Sequence, residues 1–491
     1  MIRHDPVLVA WTTPDYVSRL QHRHPEEVYF IVDSWFKDSP DLDRLDKSAV
    51  IFTGFEDLRQ ALRSIKQDLL SKNLSPRGVA CFDCEALIPA SFLAREWGLP
   101  FPDKSAIARA RNKYEAGRVW KQSGVRSPSV LLVSSRDETL DGFRRMQEDV
   151  VLKPVSGSGS ELVFHCRSEE EVVQSVRILE RELPLSASNP LFQPLPFPSA
   201  ETFVDPRRVW IMEEFVSGPE FSCDFLLEGD RITLIRETGK VKPSTQTFGS
   251  VLAYTYPPFY PENFSSAALC HIFRRAAGAL GFTWGHFMVD FILHNGHPMI
   301  IEMTPRPGGD SIPDLLETAT GTDLLELHLN FVAGFNPSEL PSPPGERFAS
   351  INLFAAQAGK IIRIDPTPVI AHPRVRAIFL RKRAGDRIVL PPKSYDHRLL
   401  GHTIVSLDSE RDILVLSTQL EECLKVEIVG ACLDENPTDS NDKWIKQCDR
   451  HRDFNGRRGL FYEILHMDDD DEDDDYDDDY EDSVYKGKEH H

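Results

Sequence analysis

Apolar residues fall along the chain in short β-prone runs separated by segments of helical spacing. Val7-Leu-Val-Ala-Trp11, Val28-Tyr-Phe-Ile-Val32, Ala49-Val-Ile-Phe52 and Gly78-Val-Ala-Cys-Phe-Asp83 predict strands, and Phe55 to Ser71 predicts a helix between the last two. Strands alternating with helices imply a small open parallel sheet over residues 1–105. Its ligand crevice lies at the strand carboxyl ends, where Asp83 and Glu85 sit.

Helical spacing continues over Ser91 to Gly98 and over Ile107 to Ser123, the latter stopped by Gly124 and carrying Lys113 near its start. Further strands are expected at Ser129 to Val133, Val150 to Pro154, Val209 to Met212 and in a hairpin of Phe221 to Glu228 with Arg231 to Arg236. Glu169 to Glu182, Phe264 to Leu280, Ile312 to Thr320 and Asp323 to Ala333 predict helices. Leu183 to Arg208 is a long Pro/Ser-rich connection of the kind that forms lids. Asn336 to Glu346 reads as a linker, and residues 347–465 as strands with few helices, among them Ala349 to Phe354, Ala377 to Arg381, Ile413 to Ser417 and Lys425 to Val429. There are no internal repeats.

His286 to Leu293 and Met299 to Thr304 are two apolar runs joined by turn chemistry, His294-Asn-Gly-His297, and predict an antiparallel hairpin. Asp290 and Glu302 are the carboxylates inside it. A three-residue loop, Asn295 to His297, puts them directly opposite one another with Cβ atoms roughly 5 Å apart; a two-residue Asn-Gly turn puts them on opposite faces. Two opposed carboxylates repel unless a cation joins them, and hard oxygen ligands with open positions suit Mg²⁺ carrying phosphates. Alternation adds Thr304 and Arg306 to the face of Glu302, and Pro305 and Pro307 are expected to keep that row extended.

Composition narrows the class. An apolar share of 41% and a charged share of 27% suit a globular chain of 491 residues, enough for roughly three domains. No run has the ~20 apolar residues of a membrane span, and the N-terminus has no signal-peptide core, so a cytoplasmic location is expected. The eight cysteines are scattered apart from Cys81-Phe-Asp-Cys84, which reads as structural. Net charge is −21, but residues 468–491 hold fourteen acids and two lysines (−14 + 2 = −12), leaving −9 elsewhere. The segment 466–491 is therefore expected to be a disordered acidic tail, suited to an unknown basic partner. No basic cluster argues for nucleic acid.

Chemistry gathers in five places. Lys153 interrupts an apolar strand, where a buried ammonium is costly unless paired. Val155-Ser156-Gly157-Ser158-Gly159-Ser160 follows it, a loop whose amides and hydroxyls suit phosphates without being a Walker A motif. Glu213-Glu214-Phe215-Val216-Ser-Gly-Pro-Glu220 comes next, and Arg236, Lys240 and Lys242 lie on the strand beyond. Asp290, Glu302, Thr304 and Arg306 close the series.

In this order the motifs resemble the ATP-grasp superfamily, and within it the carboxylate–amine ligases such as D-alanine–D-alanine ligase and the L-amino acid (dipeptide) ligases. The resemblance runs from about Val7 to Val429. It implies an α/β fold with an N-terminal domain over 1–105, an ATP-grasp domain over 106–335 (small lobe about 126–212, hinge 213–220) and a β-rich region over 336–465. It implies nucleotide contacts from Lys113, Lys153, the Ser156 to Ser160 loop and the hinge, with adenine against Glu213 to Val216 and ribose on Glu220. It implies Mg²⁺, or Mn²⁺ in its place, on Asp290, Glu302 and Thr304, where the family's third ligand is an Asn. Arg306 resembles the substrate-facing arginine, and Lys240, Lys242 or Arg236 meets the γ-phosphate. The implied reaction activates a carboxylate as an acyl phosphate and joins it to an amine, with small-molecule partners and dimerisation common in the family. The alternatives are carboxyphosphate or formyl phosphate chemistry, and a non-catalytic ATP-binding protein, which Thr304 and the tail motivate.

Overall fold

The computed structural model describes residues 5–430 apart from 40–41, 43–45, 55, 158, 189–191, 193–204, 243–247, 336–339, 343, 392–393 and 395–396. Ser158, the acidic segment 466–491 and most of the Leu183 to Arg208 connection lie outside the described residues.

Strands β1 (Val7–Val9), β2 (Val28–Val32), β3 (Val50–Phe52) and β4 (Gly78–Ala80) form a parallel sheet in the order β3-β2-β1-β4. Winding runs outward from β1 to β3 and then returns to the other side of β1, so the order reverses between β1 and β4. Helix Leu58–Ser71 packs on this sheet and starts where the Asp57 side chain accepts from Gln60 N. Pro14–Arg23 is a further helix that the apolar pattern does not disclose, since its buried stripe is only Val17, Leu20 and their neighbours.

The expected helix Ile107 to Ser123 is two helices, Lys104–Arg111 and Lys113–Gln122. Asn112 leaves helical backbone at φ −91°, ψ 99°, and its side chain caps the second helix by accepting from Glu115 N. The break frees Lys113 N–H to bond Val155 O at 2.9 Å, which ties the helix start to the Ser/Gly loop.

Strands β5 (Val130–Val133), β6 (Val150–Pro154), β7 (Phe164–Cys166) and β8 (Trp210–Glu214) make an antiparallel sheet in the order β5-β8-β6-β7. Helix Glu169–Glu182 buries Val172, Val176 and Leu179, at i, i+4 and i+7, against Val150, Leu152, Trp210 and Met212 of this sheet.

The largest sheet uses β9 (Glu220–Glu228), β10 (Arg231–Val241), β11 (Ala253–Tyr256), β12 (Trp284–His294) and β13 (His297–Thr304). After them come β14 (Arg347–Phe354), β15 (Gly359–Asp365), β16 (Val375–Leu380), β17 (Arg387–Ile388), β18 (Leu399–Leu407) and β19 (Lys425–Val429). Eight of these strands pair in the order β13-β12-β9-β10-β11-β14-β18-β16, so the sheet continues past the Asn336 to Glu346 linker; β17, β15 and β19 form a separate small sheet. Along β9 the aromatic and thiol residues Phe221, Cys223 and Phe225 face a core shared with Phe273, Ala276 and Leu280 of helix Leu269–Leu280. Glu220, Ser222 and Asp224 alternate to the other face.

Ile413 to Ser417 lies in a helix, Asp412–Cys423, and not in a strand. Ile413, Leu416, Ser417 and Leu420 are its buried residues, a spacing of 0, 3, 4 and 7 that a helix satisfies and a strand does not.

The hairpin departs from expectation in an instructive way. His294 pairs with His297, so the loop is the two-residue turn Asn295-Gly296, both with positive φ (51° and 77°). That turn alone puts Asp290 opposite Ile301. A β-bulge between Asp290 and Phe291 adds one residue to β13, and Asp290 pairs with Glu302 after all.

Candidate functional site

A cleft of about 1900 Å³ lies between the β5–β8 sheet, the large sheet and the N-terminal sheet. Its floor is a row across four neighbouring strands: Glu302 on β13 opposite Asp290 on β12, Asp290 opposite Ser222 on β9, and Glu220 on β9 opposite Lys240 on β10. One face of the large sheet therefore carries three carboxylates, on β13, β12 and β9, and a lysine on β10.

The lysines reach this row from separate elements. Lys240 Nζ lies 2.7 Å from Asp290 Oδ2 and 2.8 Å from Glu220 Oε1, and Lys242 pairs with the other oxygen of Glu220. Lys113, at the start of its helix, contacts Glu302 Oε1 at 3.0 Å and the Gly157 carbonyl at 3.3 Å. Lys153 extends from β6 to Glu213 on β8 at 2.7 Å, and both side chains are almost fully enclosed. Burial opposes the charge of Glu220, but Lys240 and Lys242 outweigh it and hold its carboxyl at about 2. Burial acts on Glu302 likewise, and Lys113 outweighs it, so its carboxyl also stays below the ordinary range.

Four lysines and four carboxylates thus neutralise one another in pairs. The arrangement suits polyphosphate binding, because phosphate oxygens offer each ammonium a second partner while the released carboxylates turn to a metal. Asp290 Oδ1 is buried without a hydrogen-bond partner, Glu302 faces it, and Thr304 follows Glu302 on the same face. A hard divalent cation fits this donor set. Among the described residues no three His, Cys, Asp or Glu side chains gather as a metal cluster, so such an ion depends on oxygens from a ligand.

The remaining expected residues line the same cleft: Ser156, Gly157, Gly159 and Ser160 on one wall, and Glu214, Phe215 and Val216 at the connection between the two sheets. Phe215 stacks on His165 with centroids 4.0 Å apart, and Phe248 stands 5.3 Å from the same imidazole. Phe215 and Phe248 line the cleft, an aromatic grouping not legible in sequence, where the two belong to unrelated segments. Arg236 is not in the cleft lining. It is buried against Asp224, donates to Ser222 O at 2.9 Å and to Thr238 Oγ1 at 2.7 Å, and has no path to a phosphate.

Arg306 leaves the straight row expected of it. Its N–H bonds Thr304 O at 2.9 Å, a γ-turn centred on Pro305, and the chain bends toward the N-terminal sheet. Arg306 Nε donates to Cys84 Sγ at 3.0 Å and Nη1 to Pro307 O at 2.8 Å. Beneath the bend Gly308 N donates to Asp224 Oδ1 at 2.9 Å, so the buried Asp224–Arg236 pair, missed in sequence, supports the loop that carries Arg306.

Residues 146–314 match the ATP-grasp domain family. The chain carries an ATP-grasp domain. The ATP-grasp fold extends over most of it: L-amino acid ligase from Bacillus licheniformis superposes with a TM-score of 0.67 over 88% of this chain and 100% of that one, at 19% identity. The biotin carboxylase domain of Hydrogenobacter thermophilus 2-oxoglutarate carboxylase, solved with MgADP, superposes with a TM-score of 0.60 over 87% of this chain and 91% of that one, at 18% identity. In sequence the chain is similar to an uncharacterised protein of Sinorhizobium fredii, 26% identical over 60% of this chain and 57% of that protein. D-alanine–D-alanine ligase of Acidovorax ebreus is 24% identical over 50% of this chain and 70% of the enzyme. Human carnosine synthase is 23% identical over 57% of this chain and 34% of the enzyme. The chain thus spans little more than half of the first of these relatives and a third of the last.

Proposed function

We propose that this ATP-grasp protein is a ligase that activates a carboxylate, an amino acid in the first instance, as an acyl phosphate and joins it to an amine, releasing ADP and phosphate. One observation carries the reading: Arg306, on the loop leaving the metal-suited hairpin, stands where the lysine-lined end of the cleft meets the crevice of the N-terminal sheet. A carboxylate held there lies between a phosphate donor and an open compartment from which an amine arrives. Relatives named D-alanine–D-alanine ligase and carnosine synthase support the same class.

In this reading Lys113 and Lys153 hold the phosphates of ATP from the small-lobe side, and Lys240 and Lys242 meet the γ-phosphate from the large sheet. Glu213 to Val216 and the Phe215–His165 stack take the adenine, and Glu220 the ribose. Asp290, Glu302 and Thr304 would hold Mg²⁺, which would supply positive charge against the phosphates. Arg306 steadies the carboxylate and the developing acyl phosphate by charge-assisted hydrogen bonding.

The test is a panel of amino acids, singly and in pairs, assayed with MgATP for phosphate release, with mass analysis of the positive pairs. A new amide is expected only where phosphate appears. Stimulation by bicarbonate or formate in place of an amino acid would move the reading to carboxyphosphate or formyl phosphate chemistry. ATP binding without turnover on any acid would leave a nucleotide-binding protein.

A further inference from the structure

The crevice of the N-terminal sheet opens beyond the carboxyl ends of β1 and β4, where the winding reverses. Thr12 follows β1 and Asp83 follows β4, and Thr12 Oγ1 donates to Asp83 Oδ2 at 3.1 Å across the gap. Among the described residues this is the one hydrogen bond that the carboxylate accepts. Asp83 is half-buried, and it lines the same continuous cleft as Glu302 and Arg306. Arg306 is anchored on the very next residue, Cys84. A carboxylate is thereby fixed next to the residue that anchors the guanidinium assigned to the acyl group, in the same cleft.

We propose that Asp83 is the general base that frees the acceptor amine. The inference rests on the ligase reading. An amine enters from neutral water as an ammonium, which has no lone pair to attack with. The Asp83 carboxylate takes one proton, and the freed nitrogen attacks the acyl carbon. The bond from that carbon to the phosphate oxygen breaks with its electron pair going to phosphate, which also takes the second proton lost by nitrogen. The products are an amide, hydrogen phosphate and a protonated Asp83 that returns its proton to solvent through the open cleft.

The groups around Asp83 favour this role. Burial, then the charge of Glu85, raises its carboxyl to about 7 against the opposing pull of Arg306 and the Thr12 hydroxyl, with Asp15 adding to the rise. That value suits a base working near neutrality. Tyr16, from helix Pro14–Arg23, has its phenol pushed up by burial and then by Asp83, and Cys81 is raised by burial and then by Asp83, so both stay neutral. Arg111 faces Cys84 and Glu85 from helix Lys104–Arg111. Asp83 is the carboxylate that both touches the crevice wall through Thr12 and adjoins the Arg306 anchor.

The experiment compares two nucleophiles in Asp83→Asn, Asp83→Glu and the unaltered chain, using MgATP and an amino acid that supports phosphate release. Hydroxylamine is a weak base, neutral at assay pH, and traps the acyl phosphate as a hydroxamate without help. A second amino acid arrives as an ammonium and needs the base. Asp83→Asn is expected to keep forming hydroxamate while amide formation falls about 100-fold or more. Its amide rate should climb as pH passes the acceptor's own ammonium pKa, and Asp83→Glu should recover part of the loss. Equal loss of hydroxamate and amide with ATP binding intact overturns the proposal, because Asp83 then holds the acid; unchanged amide formation in Asp83→Asn overturns it as well. If the unaltered chain forms neither phosphate nor hydroxamate with any acid, the ligase reading fails first and takes this proposal with it.

Discussion

Asp290 and Glu302 face each other across β12 and β13 although the Asn295-Gly296 turn between them sets a register that separates them. A single extra residue on β13 reverses the facing of everything beyond it, because side chains in a strand alternate with period two. The carboxylate pair is therefore a product of the bulge. Glu302→Gln keeps the shape and removes the charge. Turnover with MgATP should fall by at least about 100-fold, while ATP binding measured calorimetrically should persist, since a ligand to shifting phosphate charge matters most in the transition state. Full turnover in this variant would remove the hairpin from the chemistry.

Lys153 and Glu213 form an enclosed pair 2.7 Å apart. Removing one partner of a buried pair costs about 3 kcal/mol through the charge left behind. Lys153→Met should lower thermal stability and weaken ATP binding together. Adding Glu213→Gln should restore most of the stability but not the affinity. If the double variant also recovers ATP affinity, the lysine serves packing and not phosphate.

A Cβ on Gly308 would stand 2.3 Å from Arg236 Nη2, in a loop whose amide is bonded to Asp224. Gly308→Ala has to displace either the buried ion pair or the loop, at a cost of about 1–3 kcal/mol. Because Arg306 shares that loop, kcat should drop more than the affinity for ATP. Steady-state kinetics beside a thermal melt reads both effects.

His286 is buried beside His328, and burial followed by the Arg236 charge holds its imidazole down at about 3. The unfolded chain binds this proton near pH 6.5 and the folded chain does not, so stability is full above about 6.5 and is lost as pH falls toward 3. His286→Phe should gain stability relative to the unaltered chain as pH drops from 7 to 5. A melting-temperature difference that does not change over that window would rule out the buried neutral imidazole as the source.

Residues 468–491 carry fourteen acids and no apolar run able to build a core. Truncation after Met467 should leave the melting temperature and ATP-dependent turnover unchanged. Loss of turnover in a truncated chain that still melts normally would give this segment a part in the reaction.

Much of the fold was legible because its signals are local. The β-prone runs at Val28–Val32 and Val150–Pro154 and the helical spacing of Glu169–Glu182 and Ile312–Thr320 appear in the structure at the expected bounds. The odd lysine in β6 and the carboxylates of the hairpin stood out against apolar neighbours, since burying a charge needs a partner and the sequence shows the charge. What the sequence could not disclose depends on pairings between distant segments. The bulge that aligns Asp290 with Glu302 is a property of two strands together, and the bend at Pro305 and the Asp224–Arg236 support under Gly308 exist only once β9, β10 and β13 adjoin. Thr12 and Asp83 meet for the same reason. They lie 71 residues apart, and the reversal of strand order between β1 and β4 brings them within a hydrogen bond. Residue type and spacing thus determined which groups were available for chemistry, while sheet order and register decided which of them face one another.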